Sequence, residues 1–185
     1  SAIITVYHRD SPQFFEQSFM SIVNQTTPPD EIVISIDGIL NKELDDKIKE
    51  LQKFKNVNTI RSDKNSGSGL ARHQGIMSSK NEIIAIMDSD DISHKSRFQK
   101  QISMLRNEDI SVVGANIEEF NDLRNDKIKR EMPEFHCDIK RISKWRNPMN
   151  GATLMFYKKA YIDSGGYPSG NKYFEDYELI TRFIT

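Results

Sequence analysis

Asp88, Asp90 and Asp91 stand within four residues of one another in EIIAIMDSDD, at the end of an apolar run from Ile83 to Met87. The run is mostly β-branched and too short for an ordinary helix, so it reads as a strand buried on both faces. Carboxylates at the end of such a strand repel one another and lose hydration, and something positive is expected beside them. In open α/β sheets this end of the strands is also where ligands bind. All-oxygen side chains suit Mg2+ or Mn2+, ions that commonly bridge a protein carboxylate to substrate phosphates. The alternative is a solvated acidic turn that caps the next helix. A calcium loop starting at Asp88 is set aside, because Ser93 stands where glycine is needed and Gln99 where the closing glutamate belongs.

Other candidates occupy comparable places. Asp37-Gly38 directly follows the apolar run Ile32 to Ile36. An acid there can accept hydrogen bonds from a base or ribose, although Asp-Gly is also a routine turn. The segment Asp63 to Gly69 is polar and glycine-rich and opens a helix, so its N–H groups can approach an anion. It lacks the Gly-Lys-Ser/Thr of a P-loop, and a flexible connector is the alternative. Glu175-Asp176 begin the last helical stretch, where acids suit the dipole; a catalytic carboxylate beside a structural one fits equally well. His136-Cys137 are a poor metal pair, since adjacent side chains on a helix diverge.

Positioning these residues requires an alternating scaffold. Ala2 to Tyr7 reads as the first buried strand, with His8 to Ser11 as its exit loop. Ser11 caps a helix starting at Pro12, whose inner stripe is Phe14, Phe15, Ser18, Phe19, Ile22 and Val23. Leu40, Leu44, Ile48 and Leu51 mark a second helix, and Val57 to Ile60 a third strand. A helix over His94 to Arg106 and a buried strand over Ile110 to Ala115 follow the acids. Alternation across residues 1–115 predicts parallel pairing with helices on both faces. Residues 121–131 are charged throughout and predict a hairpin or loop at the sheet's edge. Asn147 to Phe156 predicts a polar turn running into a short strand, and Gly165 to Pro168 a sharp turn.

Composition narrows the function classes. The chain has 185 residues, 37% hydrophobic and 29% charged, which fits a folded globular domain rather than disorder. A net charge of −1 offers no broad basic surface for nucleic acid. Cys137 is the only cysteine, which excludes an intramolecular disulfide and a multi-cysteine metal site. No apolar run approaches a membrane span and no signal-peptide pattern opens the chain, so a cytoplasmic location is expected. Ser1 lies one step from a strand, which suggests a trimmed start. The last stretch, Tyr177 to Thr185, ends without a cap, so the natural chain is expected to continue.

In this order, the pieces resemble the family 2 glycosyltransferases, inverting enzymes of GT-A fold. The matching segments are Ile3 to Tyr7, SIVNQTTPPDEIVISIDG, NSGSGLARHQGI, the Asp88–Asp91 acids, NPMNGATLMFYKKA, SGGY and Glu175-Asp176-Tyr177. They cover essentially the whole chain and look most like bacterial enzymes that build lipopolysaccharide or capsule. The resemblance implies a Rossmann-like α/β domain over residues 1–185, C-terminally truncated: a mostly parallel sheet with helices on both faces and a small mixed or antiparallel acceptor-side part, divided into a nucleotide-sugar half (1–115) and an acceptor-side, catalytic-base half (116–185). It implies that Asp37 reads the nucleotide base, most often uracil, and that Tyr7 and Gly67 line that pocket. It implies that Asp88 and Asp90 form the Asp-x-Asp pair that holds Mn2+ or Mg2+. Asn150 and Gly151 match a turn near the donor sugar. Asp176, next to Glu175, matches the general base.

The implied reaction is inverting transfer from a nucleotide-diphosphate sugar, a UDP-sugar, to a saccharide or lipid-linked acceptor. The implied class is a metal-dependent hexosyl- or N-acetylhexosaminyltransferase, without a nucleic-acid partner. A region beyond residue 185 would complete the acceptor side and could associate peripherally with the cytoplasmic face of the membrane. The family's usual asparagine after Ala-Arg is His73 here, so His73 has no assigned role. A nucleotidyltransferase-like enzyme and a non-catalytic nucleotide-sugar-binding module are the rival readings. Against the first, Tyr7-His8-Arg9-Asp10 lacks the glycine-rich basic loop that such enzymes place after the first strand.

Overall fold

The computed structural model describes residues 1–107, 109–121, 126–168 and 174–184. Four parallel strands form one side of a six-stranded sheet: β1 (Ala2–Tyr7), β2 (Ile32–Asp37), β3 (Val57–Ser62) and β4 (Ile83–Met87). They are joined by α1 (Pro12–Val23), α2 (Lys42–Leu51) and α3 (Ser68–Ser78). Their order in space is β3, β2, β1, β4, so the chain reverses its direction of winding between β1 and β4. The crevice beyond the carboxyl ends of those two strands is the place such sheets use for ligands.

β1, β2 and β4 are largely apolar on both faces because helices cover both. Ile4, Val6, Ile34 and Ile36 pack with Phe15, Phe19, Leu44 and Ile48 of α1 and α2. Ile3, Val33, Ile84 and Ile86 pack on the other side with Ile76 of α3 and with Leu179 and Ile180 further along the chain. Full burial of each such Ile, Leu or Phe contributes roughly 1.5–3 kcal/mol, enough to hold the strand ends rigidly. Ser11 caps α1 as expected, its Oγ accepting from the Phe14 N–H at 3.4 Å.

After β4 the pattern departs from the expected one. Helix α4 (Arg97–Asn107) starts later than His94, and β5 (Val112–Val113) is two residues rather than six. β5 is antiparallel to its only neighbour, β8 (Met155–Tyr157), which itself runs antiparallel to β4. A partner three residues long can support no longer strand. β6 (Ile117–Asn121) and β7 (Asp126–Arg130) form a hairpin, but as a separate two-stranded sheet rather than at the main sheet's edge. Next come α5 (His136–Ile142), a 3-10 turn over Gly151–Thr153, and, after β8, α6 (Lys158–Asp163) and α7 (Glu175–Ile184). The sharp turn is present, with positive φ at Gly165 and Gly166. The approach to Glu175 from Asn171 lies mostly outside the described residues. Phe14, expected on the buried stripe of α1, is 55% exposed.

Candidate active site

A cleft of about 370 Å³ opens at the carboxyl ends of β1, β2 and β4. Tyr7, Asp37, Gly67, Asp88 and Asp90 all line it, as do Asp10 and Arg72, to which the sequence reading gave no role. Asp37 is buried, and both its oxygens are engaged: Oδ1 accepts from Ser66 N at 2.7 Å and Oδ2 from Gly67 N at 2.9 Å. The carboxylate thus holds the polar loop in place at the head of α3. Gly67 sits there at φ +95°, a backbone conformation that glycine adopts without strain. Asp37-Gly38 is therefore more than a connecting turn: its acid shapes one wall of the cleft.

Asp10 forms part of the opposite wall. Its Oδ2 accepts from Tyr7 N at 3.0 Å and from Ser89 Oγ at 2.9 Å. Burial raises its pKa above the usual value, Asp90 and Asp88 add to the rise, and the two hydrogen bonds oppose it. Asp91 is exposed, yet partial desolvation, then the charges of Asp88 and Asp90, push its carboxyl up to about 6. The acids that end β4 thus lie in a strongly negative field. Beneath them Arg97 is buried, its Nη2 donating to Ile86 O at 2.8 Å, and burial brings its pKa down to about 10.

The positive group expected beside Asp88 is Arg72. Its guanidinium is buried, donating from Nη2 to Asp88 Oδ1 at 2.5 Å and from Nη1 to Asp176 Oδ1 at 2.7 Å. Burial alone would lower the pKa of Arg72, but Asp88, Tyr167 and Asp176 hold it well above the ordinary arginine value. One side chain from α3 therefore ties the end of β4 to the start of α7. Glu175 makes its hydrogen bond elsewhere: its Oε1 accepts from Ser68 Oγ, which pins the head of α7 to the head of α3, while the same oxygen lies 3.9 Å from Arg72 Nη1. The two adjacent acids thus share the charge of Arg72 but differ in their hydrogen-bond partners.

Asp176 rests against the turn before β8. A Cβ on Gly151 would overlap its carboxylate, so the close approach requires glycine. Asn150 caps the 3-10 turn, Oδ1 accepting from Ala152 N at 3.2 Å. Asn150 and Gly151 therefore share a site with Asp176 rather than lining the cleft. Burial raises the pKa of Asp176, Arg72 opposes the rise, and Asp88 and Glu175 add to it. His73 is tied into the packing, its Nδ1 2.8 Å from Tyr161 Oη.

Among the described residues, no three His, Cys, Asp or Glu side chains converge to hold a metal unaided. The described residues lining the cleft present four carboxylates, Asp10, Asp37, Asp88 and Asp90, against the single cation Arg72. Hard oxygen donors in excess of positive charge suit a divalent cation completed by phosphate oxygens from outside the protein. The sequence offered one signal for Arg72 as well: a cation three positions before a helix's glycine, on the same helix as the buried Ala71 and Ile76. Asp10 carried none beyond its place in the exit loop of β1.

With this geometry in place, comparison with known proteins identifies the family. The profile described as Glycosyl transferase family 2 matches residues 1–166. The chain belongs to that family. The match stops short of Glu175 and Asp176. A UDP-Gal:alpha-D-GlcNAc-diphosphoundecaprenol beta-1,3-galactosyltransferase from Escherichia coli is 33% identical over 97% of this chain and 65% of its own. The amylovoran biosynthesis glycosyltransferase AmsE of Erwinia amylovora is 31% identical over 100% of this chain and 69% of its own. The chain thus spans about two thirds of the length of these relatives. Among solved structures, S. aureus TarS 1-349 superposes with a TM-score of 0.78 at 17% identity, over 99% of this chain and 54% of that one. TarS 1-349 in complex with UDP superposes with a TM-score of 0.76 at 16% identity, over 100% and 55%. The fold of this family 2 chain is therefore GT-A, as the sequence implied.

Proposed function

We propose that this chain carries the donor site and the general base of a transferase. It moves a hexosyl or N-acetylhexosaminyl group from a UDP-sugar to a saccharide or lipid-linked saccharide in cell-surface polysaccharide synthesis. The observation that carries the reading is the Arg72 bridge, which joins an acid at the end of β4 to an acid at the head of α7. An acceptor hydroxyl attacks the anomeric carbon as the bond to the diphosphate oxygen breaks. The diphosphate leaves with that electron pair, and Asp176 takes the hydroxyl proton. A single displacement of this kind inverts the anomeric centre. Glu175, bonded to Ser68, positions α7 rather than taking the proton.

Tyr7, Asp37 and Gly67 form the nucleotide end of the cleft, with Asp37 ordering the loop that faces the base. Asp88 and Asp90 would hold Mn2+ or Mg2+. That ion, when bound, offsets the charge on the departing diphosphate. The lining supports this reading, since four carboxylates against one arginine repel an anionic nucleotide.

Calorimetric titration of UDP with and without a divalent cation tests the reading. UDP should bind at least about tenfold more tightly with Mn2+ or Mg2+ than with chelator, a difference of roughly 1.4 kcal/mol. Equal affinity in both conditions would remove the metal from Asp88 and Asp90.

A further inference from the structure

The chain carries a net charge of −1, yet Ile139 to Arg146 (IKRISKWR) holds Lys140, Arg141, Lys144 and Arg146 and no acid. All four cations are exposed, and Trp145 between the last two is 87% exposed. A floppy loop does not explain this exposure. Helical hydrogen bonding continues past α5, from Ser143 N to Ile139 O at 2.9 Å and from Arg146 N to Ile142 O at 3.1 Å. Ile139 packs into the core on the inner side, and Ser143 O accepts from Tyr177 Oη on α7. The backbone is anchored while the indole and the cations face outward.

We infer that this surface docks the protein onto an anionic lipid membrane. An indole joins a broad apolar body to one N–H donor and sits best at the boundary between headgroups and acyl chains. Clustered lysines and arginines beside it are drawn to acidic headgroups, which no neutral surface would reward. Arg141 is partly neutralised by Asp138 at 2.8 Å, so Lys140, Lys144 and Arg146 carry most of the attraction. Nucleic acid fits less well, because the patch is small and the nearby cleft is strongly acidic. Beyond Arg146 the chain turns inward through buried Pro148 and Met149 to Gly151, against which Asp176 rests. Docking would therefore bring the lipid close to the proposed base. The purpose of docking rests on the lipid-linked acceptor proposed above, whereas its test does not.

Trp145 is the only tryptophan of this sequence, so its fluorescence reports the contact directly. Vesicles of phosphatidylcholine with phosphatidylglycerol should shift its emission to the blue and sediment the protein. Binding should be about tenfold or more weaker to phosphatidylcholine alone. Raising salt from about 0.1 M to about 1 M, which cuts the screening length from roughly 10 Å to roughly 3 Å, should release the protein. The double variant Lys140→Glu, Lys144→Glu should lose vesicle binding while keeping UDP affinity and transfer to a soluble acceptor. Equal binding to both vesicles, binding unchanged in the double variant, or a blue shift that grows with protein concentration without vesicles would each overturn the inference. Vesicle binding without any sugar transfer would leave it standing and overturn only the enzymatic reading.

Discussion

The acids of the cleft and the acids at the head of α7 are held in different ways. In the cleft, backbone supports Asp37, which accepts two loop N–H groups, and Asp10, which accepts Tyr7 N; at Asp88 the carbonyl receives Ser18 Oγ at 2.7 Å and only the carboxylate shares Arg72. The acids of α7 depend on side chains from a helix far back in the chain. Asp176 is held by Arg72, 104 residues earlier, and Glu175 by Ser68. A site built on strand ends inherits the rigidity of the sheet. One built on a single shared guanidinium depends on that group's charge and reach, so the α7 side should be the easier to break selectively.

The sharpest break is at the proposed base. Asp176→Asn keeps the size of the side chain but removes its capacity to take a proton, so transfer by the full-length enzyme should fall about a hundredfold or more. UDP affinity should stay near the wild-type value, because the cleft's own acids are untouched. Glu175→Gln is the control and should act mainly on stability, through the bond to Ser68. Steady-state kinetics with calorimetry on both variants decides it. If Glu175→Gln abolishes transfer and Asp176→Asn spares it, the two roles are reversed.

A smaller break comes from the other partner of Asp176. Gly151→Ala inserts a methyl group where the carboxylate now lies, so the acid must move. Overpacking of this kind typically costs about 1–3 kcal/mol, and transfer should drop by roughly tenfold or more while UDP binding is preserved. Transfer unchanged in Gly151→Ala would mean that the contact is incidental to the position of Asp176. Loss of UDP binding in that variant would mean that the two sides are less separable than their supports suggest.

The same difference governs what was legible in the sequence. Strands β1, β2 and β4 and the acids at their ends could be read because a strand buried on both faces shows as an unbroken apolar run. The pairing of Glu175 with Asp176 was visible, but not which acid faced which partner, since that depends on where Ser68 and Arg72 arrive. Arg72 escaped for the same reason: no spacing rule links residues 72, 88 and 176. Phe14 was misplaced because the buried face of α1 is Phe15, Ser18, Phe19 and Ile22, and Phe14 lies one residue, about 100°, off that stripe. The antiparallel edge was expected from the resemblance alone, because β5 and β8 are two and three residues long, too short for any period to show.

The most delicate test of the shared guanidinium is the pH dependence of transfer. Burial raises the pKa of Asp176 and the charge of Arg72 opposes that rise, so the carboxyl titrates above an ordinary aspartate. A base works ionised, and the rate should therefore climb with pH through this value. Replacing Arg72 by Gln removes the opposing cation, and the acid limb should move to higher pH. Stability follows with its own sign. The native state holds the Asp176 proton more tightly than the unfolded chain, so the favourable contribution is complete below the unfolded value. It is lost as pH rises through the native one. In Arg72→Gln that loss should extend to higher pH, and melting temperature should fall over a wider range than in the parent. Rate and melting profiles measured on the same samples separate the two effects. A limb that stays in place or moves to lower pH would show that Arg72 does not set the charge of Asp176, and that the two sides of the site are held independently.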